Sequence, residues 1–153
     1  LGTNLGNRME NLKFAHEQIN INIGEISLKS HIYKSDAWGY ESDNYFLNQC
    51  VACKTELLPG QLLEKIRIIE DMRGRTRSDS GYQDRILDID ILFYGHTVVD
   101  EINLTIPHPG LPERKFALAP LSEIAPFKMH PVLRKTIIEL YERCPDQSQL
   151  ERL

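Results

Sequence analysis

In the run Arg85-Ile86-Leu87-Asp88-Ile89-Asp90-Ile91-Leu92-Phe93, two carboxylates stand two residues apart inside an otherwise apolar segment. Side chains alternate across a strand, so this spacing places Asp88 and Asp90 on one face and Leu87, Ile89, Ile91 and Phe93 on the other. Carboxylates on so apolar a segment are costly to bury unless cations, hydrogen bonds or a metal compensate them. Paired oxygen ligands of this kind suit Mg²⁺, which usually completes its shell with water and phosphate oxygens. Cations stand close by in the chain: Gly74-Arg75-Thr76-Arg77 lies just upstream, and Arg85 opens the segment itself. Guanidinium groups keep their charge and bind phosphate oxygens in pairs. One such arginine alone reads as a solvated surface charge. Three beside an Asp-x-Asp strand point to phosphoryl chemistry, in which metal ions and arginines share the developing charge.

Two further features suit a flat heterocycle. Phe46-Leu47-Asn48 puts an aromatic ring and an amide on one strand face, and Phe116 supplies a second ring after a long loop. A planar ligand between aromatic rings gains stacking and desolvation, while the amide pairs with ring nitrogens. His108, in Ile106-Pro107-His108-Pro109, lies in a pattern-poor loop near Arg114. No His or Glu stands out as a general base, which leaves Asp90 as the candidate.

The elements that must position these groups read as follows. Asn7 to about Ile21 is a predicted helix capped by Asn7, with a stripe of Met9, Leu12, Ala15 and Ile19. Glu25–Tyr33 and Phe46–Thr55 are predicted strands, separated by a polar loop, Ser35–Tyr45, that holds the lone Trp38. Pro59–Met72 is a predicted helix with Pro59 in its first turn and Leu62, Leu63, Ile66 and Ile69 on one face. A polar stretch, Gly74–Asp84, precedes the Asp-x-Asp segment, and a short strand Thr97–Val99 follows it. Asp100–Arg114, with its prolines, reads as a loop. Lys115–Ile124 reads as a helix interrupted at Pro120, and Leu133–Arg143 as a terminal helix. Strands and helices intermingle without βαβ alternation, which predicts an α+β fold on a mostly antiparallel sheet. The polar segments Ser35–Asn44 and Thr76–Asp84 are expected to act as lids.

The bulk numbers bound the possibilities. At 153 residues, 41% hydrophobic and net charge −4, the chain suits one globular domain, 1–153, with no nucleic-acid surface or polybasic membrane anchor. Its apolar runs fall short of the roughly 20 residues that span a bilayer. Cys50 and Cys53 carry no accompanying ligand pattern and read as ordinary thiols, with a reducing cytoplasm as the setting. No large apolar face is marked, so a monomer is expected. Two other functions share these residues. A nucleotidyltransferase would release pyrophosphate from ATP, and a non-catalytic nucleotide- or pterin-binding module would show no turnover.

Taken together, the motifs resemble the 6-hydroxymethyl-7,8-dihydropterin pyrophosphokinase family. Asp84 to Leu92 is similar to that family's signature, Gly2-Thr3-Asn4-Leu5-Gly6 to its Gly-Ser-Asn-Leu start, and Asn44–Asn48 to its Tyr-Leu-Asn strand. Glu70, Gly74-Arg75-x-Arg77, Pro107-His108, Arg114, Phe116 and the run from Ala119 to Pro126 follow in order. The resemblance implies a ferredoxin-like α+β fold of three α/β/α layers, with ATP and 6-hydroxymethyl-7,8-dihydropterin as partners. It implies two Mg²⁺ ions on Asp88 and Asp90. Arg77, Arg85, His108 and Arg114 would contact phosphate, and Arg75 and Arg85 would favour the transition state. Glu70 and Ile91 would help seat ATP. Ser35, Asp36, Trp38, Phe46, Asn48 and Phe116 would hold the pterin. The family's first strand lies mostly before Gly2, so an upstream segment is expected. This chain has Gln83-Asp84 where the family often has Gly-Pro, Gly81 where some members have Arg, and Ser35-Asp36-Ala37 where Thr-Pro-Pro is common.

Overall fold

The computed structural model describes residues 1–74 and 83–153. Its elements are β1 (Gly2–Thr3), α1 (Arg8–Asn22), β2 (Glu25–Lys29), β3 (Tyr33–Ser35), β4 (Phe46–Asn48), β5 (Val51–Lys54), α2 (Pro59–Met72), β6 (Val99–Glu101), β7 (Leu104–Ile106), α3 (Lys115–Ile124), α4 (Ile137–Glu142) and β8 (Leu150–Arg152). All strand pairs are antiparallel. A sheet runs in the order β1-β4-β3-β8, with β2-β5 and β6-β7 as separate pairs. The α+β class expected from the sequence is the one observed.

Helix α1 starts where Asn7 accepts a hydrogen bond from the Glu10 N–H at 3.3 Å. Its inner face is Asn11, Leu12, Ala15 and Ile19. Met9, expected in that stripe, is exposed, and the buried place in the first turns belongs to Asn11, which serves polar backbone as described below. Helix α2 has the predicted bounds and buries Leu62, Ile66 and Ile69. Together α1 and α2 close one core over Leu87 and Ile89 of the Asp-x-Asp segment. A second core lies under α3 and α4, built on Leu111, Leu118, Leu121, Ile137 and Leu140, and Leu92 and Phe93 pack against it. The acidic segment thus passes between two apolar clusters, which fixes its rotation. Cys50 joins the second core and Cys53 the first, and all three cysteines are free thiols.

Several boundaries differ from the sequence expectation. The predicted strand Phe46–Thr55 is two strands, because Gln49 and Cys50 turn aside to bond Leu1 and Ser30. Glu25–Tyr33 likewise splits, with the chain leaving β2 before it enters β3. The expected loop Asp100–Arg114 contains the β6–β7 hairpin, and the expected strand Thr97–Val99 begins only at Val99. Helix α3 continues through Pro120, which sits fully buried in its second half and forfeits one backbone bond. The terminal helix begins at Ile137 rather than Leu133, since Thr136 and Glu139 form a reciprocal capping box there. Strand β8 is too short and too polar to show a period. Among the described residues, no helix is long and apolar enough to cross a membrane.

Strand β8 is tied down by Glu123 of α3. This carboxylate accepts from Tyr33 Oη at 2.7 Å and from the His31 N–H at 2.8 Å, and it faces Arg152 at 3.4 Å. Burial pushes its pKa up, but the Tyr33 and His31 hydrogen bonds and Arg152 outweigh this, so the carboxyl lies below its ordinary 4.5. A depressed carboxyl contributes stability that is present above its ordinary value and lost as pH falls through the folded one. Glu123→Gln is therefore expected to lower Tm at pH 7, with the difference from wild type shrinking as pH falls below the ordinary 4.5. Thermal melts across pH 3–7 check this; an equal loss at both ends would remove Glu123's charge from the account.

Candidate active site

The Asp-x-Asp segment, predicted as a strand, is not one among the described residues: a single bridge between Gly2 and Asp88 ties it to the sheet. Its backbone is held instead by the N-terminal ribbon. Gly2 and Asp88 exchange N–H···O bonds at 2.9 and 2.8 Å, and the Arg85 carbonyl accepts from the Asn4 and Leu5 N–H groups at 3.0 and 3.2 Å. Asn4 Oδ1 accepts from the Arg85 N–H at 2.6 Å. The Ile86 carbonyl accepts from Thr3 Oγ1 and from Asn11 Nδ2. From below, buried Glu70 accepts the Ile89 N–H at 2.9 Å. Thr3, Asn4 and Asn11 are all buried, so each of these polar atoms needs its partner.

Above this floor opens a cavity lined on one side by Arg85, Asp88, Asp90, His108 and Arg114, and on the other by Ser35, Asp36, Trp38, Phe46, Asn48 and Phe116. The charged side is already cross-paired. Arg85 lies 2.7 Å from Asp88, and Asp90 lies 3.6 Å from Arg114 and 3.9 Å from His108. Burial lowers the pKa of His108; Asp90 raises it and Arg114 lowers it again, leaving the imidazole below its ordinary 6.5. The aromatic side pairs Trp38 with Phe116 at 6.3 Å between ring centroids, and the Arg114 guanidinium lies 5.3 Å from the Trp38 ring. Asn48 donates to Ser35 Oγ at 2.9 Å, which orients its amide. Behind the Arg114 side chain lies Gly110, where an added Cβ would stand 2.9 Å from Arg114 Nε.

A second, more open cavity lies beside the first, lined by Leu63, Ile91 and the β6–β7 hairpin from Ile102 to Thr105. Asp90 and His108 line both cavities. The two cavities therefore adjoin at these two residues.

No group of three or more His, Cys, Asp or Glu able to hold a metal occurs among the described residues. The donor set still fits Mg²⁺. Two carboxylates facing one cavity leave most of a six-oxygen shell to water and phosphate, which is how this ion is commonly held.

Residues 1–126 match the family model for 7,8-dihydro-6-hydroxymethylpterin-pyrophosphokinase. The chain belongs to that family. Curated relatives named 2-amino-4-hydroxy-6-hydroxymethyldihydropteridine pyrophosphokinase include one from Porphyromonas gingivalis, 40% identical over 134 residues, covering 86% of this chain and 90% of the relative. One from Aquifex aeolicus is 40% identical over 139 residues, covering 91% and 86%. One from Synechocystis is 39% identical over 144 residues, covering 94% and 73%.

Within this pyrophosphokinase family member, the structure brings Ser35, Asp36, Trp38, Phe46, Asn48, Arg85, Asp88, Asp90, His108, Arg114 and Phe116 to one cavity and places Ile91 in the adjoining one. Glu70 lies beneath, at the Ile89 backbone. Arg75 and Arg77 lie outside the described residues. Sequence reasoning missed Tyr40, which lines the cavity, and Asn4 and Asp84, which hold its edge. Their signal was only a cluster of polar residues around Tyr40 and Asn44. It also missed the β6–β7 turn as a wall of the second cavity, since that hairpin was read as a loop.

Proposed function

We propose that this chain transfers the pyrophosphoryl group of ATP to the hydroxymethyl oxygen of 6-hydroxymethyl-7,8-dihydropterin, releasing AMP, in folate biosynthesis. The observation that carries the reading is the meeting of two dissimilar cavities at Asp90 and His108, with arginines on the same side. The aromatic cavity suits the pterin: Asn48 hydrogen-bonds its edge, while Phe46, Phe116 and Trp38 cover its faces, beside Ser35 and Asp36. The more open cavity with Leu63, Ile91 and the β6–β7 hairpin suits the nucleoside. The triphosphate then crosses at Asp90, within reach of Arg85, His108 and Arg114.

Asp88 and Asp90 would hold Mg²⁺, which when bound neutralises phosphate charge and polarises the phosphoryl oxygens. The protein's own share is placement and charge. The hydroxymethyl oxygen forms a bond to the β-phosphorus as the bond from that phosphorus to the oxygen bridging to the α-phosphate breaks; AMP leaves, and the hydroxyl proton passes to Asp90, the candidate base, and on to solvent. Holding the two substrates in neighbouring cavities converts a bimolecular encounter into a positioned one. Arg85 and Arg114 exchange their carboxylate partners for phosphate oxygens, and charge-assisted bonds of that kind strengthen as charge develops. Arg75 and Arg77 stand close enough in sequence to add to this set.

The direct test incubates the protein with ATP, Mg²⁺ and the hydroxymethyl pterin and identifies the nucleotide product. AMP supports the reading, whereas ADP, released pyrophosphate or unchanged ATP each contradict it. Asp88→Ala and Asp90→Ala are expected to lower kcat by at least about a thousandfold, a loss of roughly 4 kcal/mol in transition-state stabilisation. Wild-type turnover in either variant would remove that aspartate from the metal site. Arg85→Ala is expected to lower kcat about a hundredfold while ATP affinity falls less than about tenfold. Gly110→Ala is expected to melt within a few degrees of wild type, since only side chains, the Arg114 guanidinium and the edge of the His108 ring, must give. Its guanidinium displacement should weaken ATP binding about tenfold by calorimetry, roughly 1.4 kcal/mol.

A further inference from the structure

Asp84 has no place in the chemistry above, yet four side chains converge on its carboxylate. Oδ1 accepts from Asn4 Nδ2 at 2.7 Å, Ser42 Oγ at 2.6 Å and Tyr40 Oη at 3.0 Å, while Oδ2 accepts from Asn44 Nδ2 at 2.7 Å. Three of these donors belong to the loop between β3 and β4, and the fourth belongs to the N-terminal ribbon. The loop also ties to itself, with the Asn44 N–H donating to Ser42 Oγ at 3.1 Å. Asn4 in turn bonds both the N–H and the carbonyl of Arg85. One carboxylate therefore joins the loop that carries Asp36, Trp38 and Tyr40 to the backbone of the arginine that faces Asp88.

The charge on this carboxylate is secure. Its Ser42 hydrogen bond, helped by those from Asn44, Asn4 and Tyr40 and opposed by burial, holds the carboxyl down to about 2. The Tyr40 hydroxyl is pushed up to about 12 by burial and by its bond to Asp84. Neither group titrates near neutrality, so the junction is a fixed mechanical element. Hydrogen bonds to an ionised acceptor are roughly twice as strong as neutral ones, and a shared acceptor makes their effects interdependent.

We propose that Asp84 is a positioning residue that latches the 36–45 loop against the Asn4–Arg85 backbone, setting the wall of the pterin cavity and so the enzyme's selectivity for its pterin substrate. This rests on the pyrophosphokinase reading for its kinetic consequence, though the latch itself is testable without turnover. Trp38, the chain's single tryptophan, rides on the latched loop and reports its position.

The test compares wild type with Asp84→Ala, Asp84→Asn and Ser42→Ala. In Asp84→Ala, acrylamide quenching of Trp38 should rise about threefold and KM for the pterin about tenfold, while the Kd for a non-hydrolysable ATP analogue stays within about twofold. That split is one that general loosening of the fold would not produce. Asp84→Asn, which keeps Oδ1 as an acceptor, should fall between Asp84→Ala and wild type. Ser42→Ala, the variant least able to disturb folding, should raise pterin KM about threefold, and its effect should vanish in the Asp84→Ala background. Unchanged quenching and pterin KM in Asp84→Ala, or in Ser42→Ala should the former not fold, would overturn the latch. So would additive effects in the double variant, or an equal loss of ATP-analogue binding. A wild-type protein that yields no AMP would count against the reaction instead, leaving the quenching comparison to decide on the latch.

Discussion

The site depends on a backbone clasp between the N-terminal ribbon and residues 85–88. Side chains leave an extended segment perpendicular to its hydrogen-bonding edges, so its backbone can be tied down while its acidic face stays open. Here one edge is secured by Gly2, Thr3, Asn4 and Leu5 and the underside by Asn11 and Glu70, which leaves Asp88 and Asp90 facing the cavity. Buried amides and hydroxyls do this work at a cost, because each becomes a liability if its partner moves. The reward is precision in rotation: with Leu87 and Ile89 sealed in one core and Leu92 and Phe93 against the other, the carboxylates have little freedom to turn away.

The same constraint explains why the charges are interleaved rather than segregated. Asp88 is met by Arg85, and Asp90 by Arg114 and His108. Two bare carboxylates side by side would repel each other, and bare arginines would do the same across the cavity. Paired, they nearly cancel. On the proposed reading, a metal-bound triphosphate would bring both signs at once, so each side chain would exchange one charged partner for another instead of gaining or losing one. The exchange lowers the cost of desolvating the site when substrate enters.

The parts written into local pattern were legible in the sequence. Helix α2 begins and ends as predicted because Pro59 and an unbroken apolar stripe define it, and Leu87, Ile89 and Ile91 share a core as alternation predicts, though Phe93 departs with Leu92 to the second core. Phe46 and Asn48 share a cavity as alternation requires. Where tertiary partners decide, the pattern fell silent. Asn11 takes the buried place expected of Met9 because distant carbonyls at Leu5 and Ile86 need donors. Strand β8 exists because Glu123 and β3 offer it partners, and nothing in Leu150-Glu151-Arg152 itself declares a strand. Asp84 looked like one more polar residue in a polar stretch, and its four donors come from up to 80 residues away.

On the reading proposed above, the choice of phosphorus would follow from how the two substrates are placed rather than from a dedicated group. The two cavities share Asp90 and His108, so with the pterin in one and the nucleoside in the other the triphosphate would cross near these residues and the acceptor hydroxyl would meet it there. How deeply the nucleoside settles against Leu63 and the β6–β7 turn then determines which phosphate stands in front of the hydroxyl. A ledge one phosphate closer would present the γ-phosphorus and give an ordinary kinase. Selection of the β-phosphorus would then rest on how the cavity walls seat the two substrates, with the β6–β7 hairpin lining one cavity and the 36–45 loop the other.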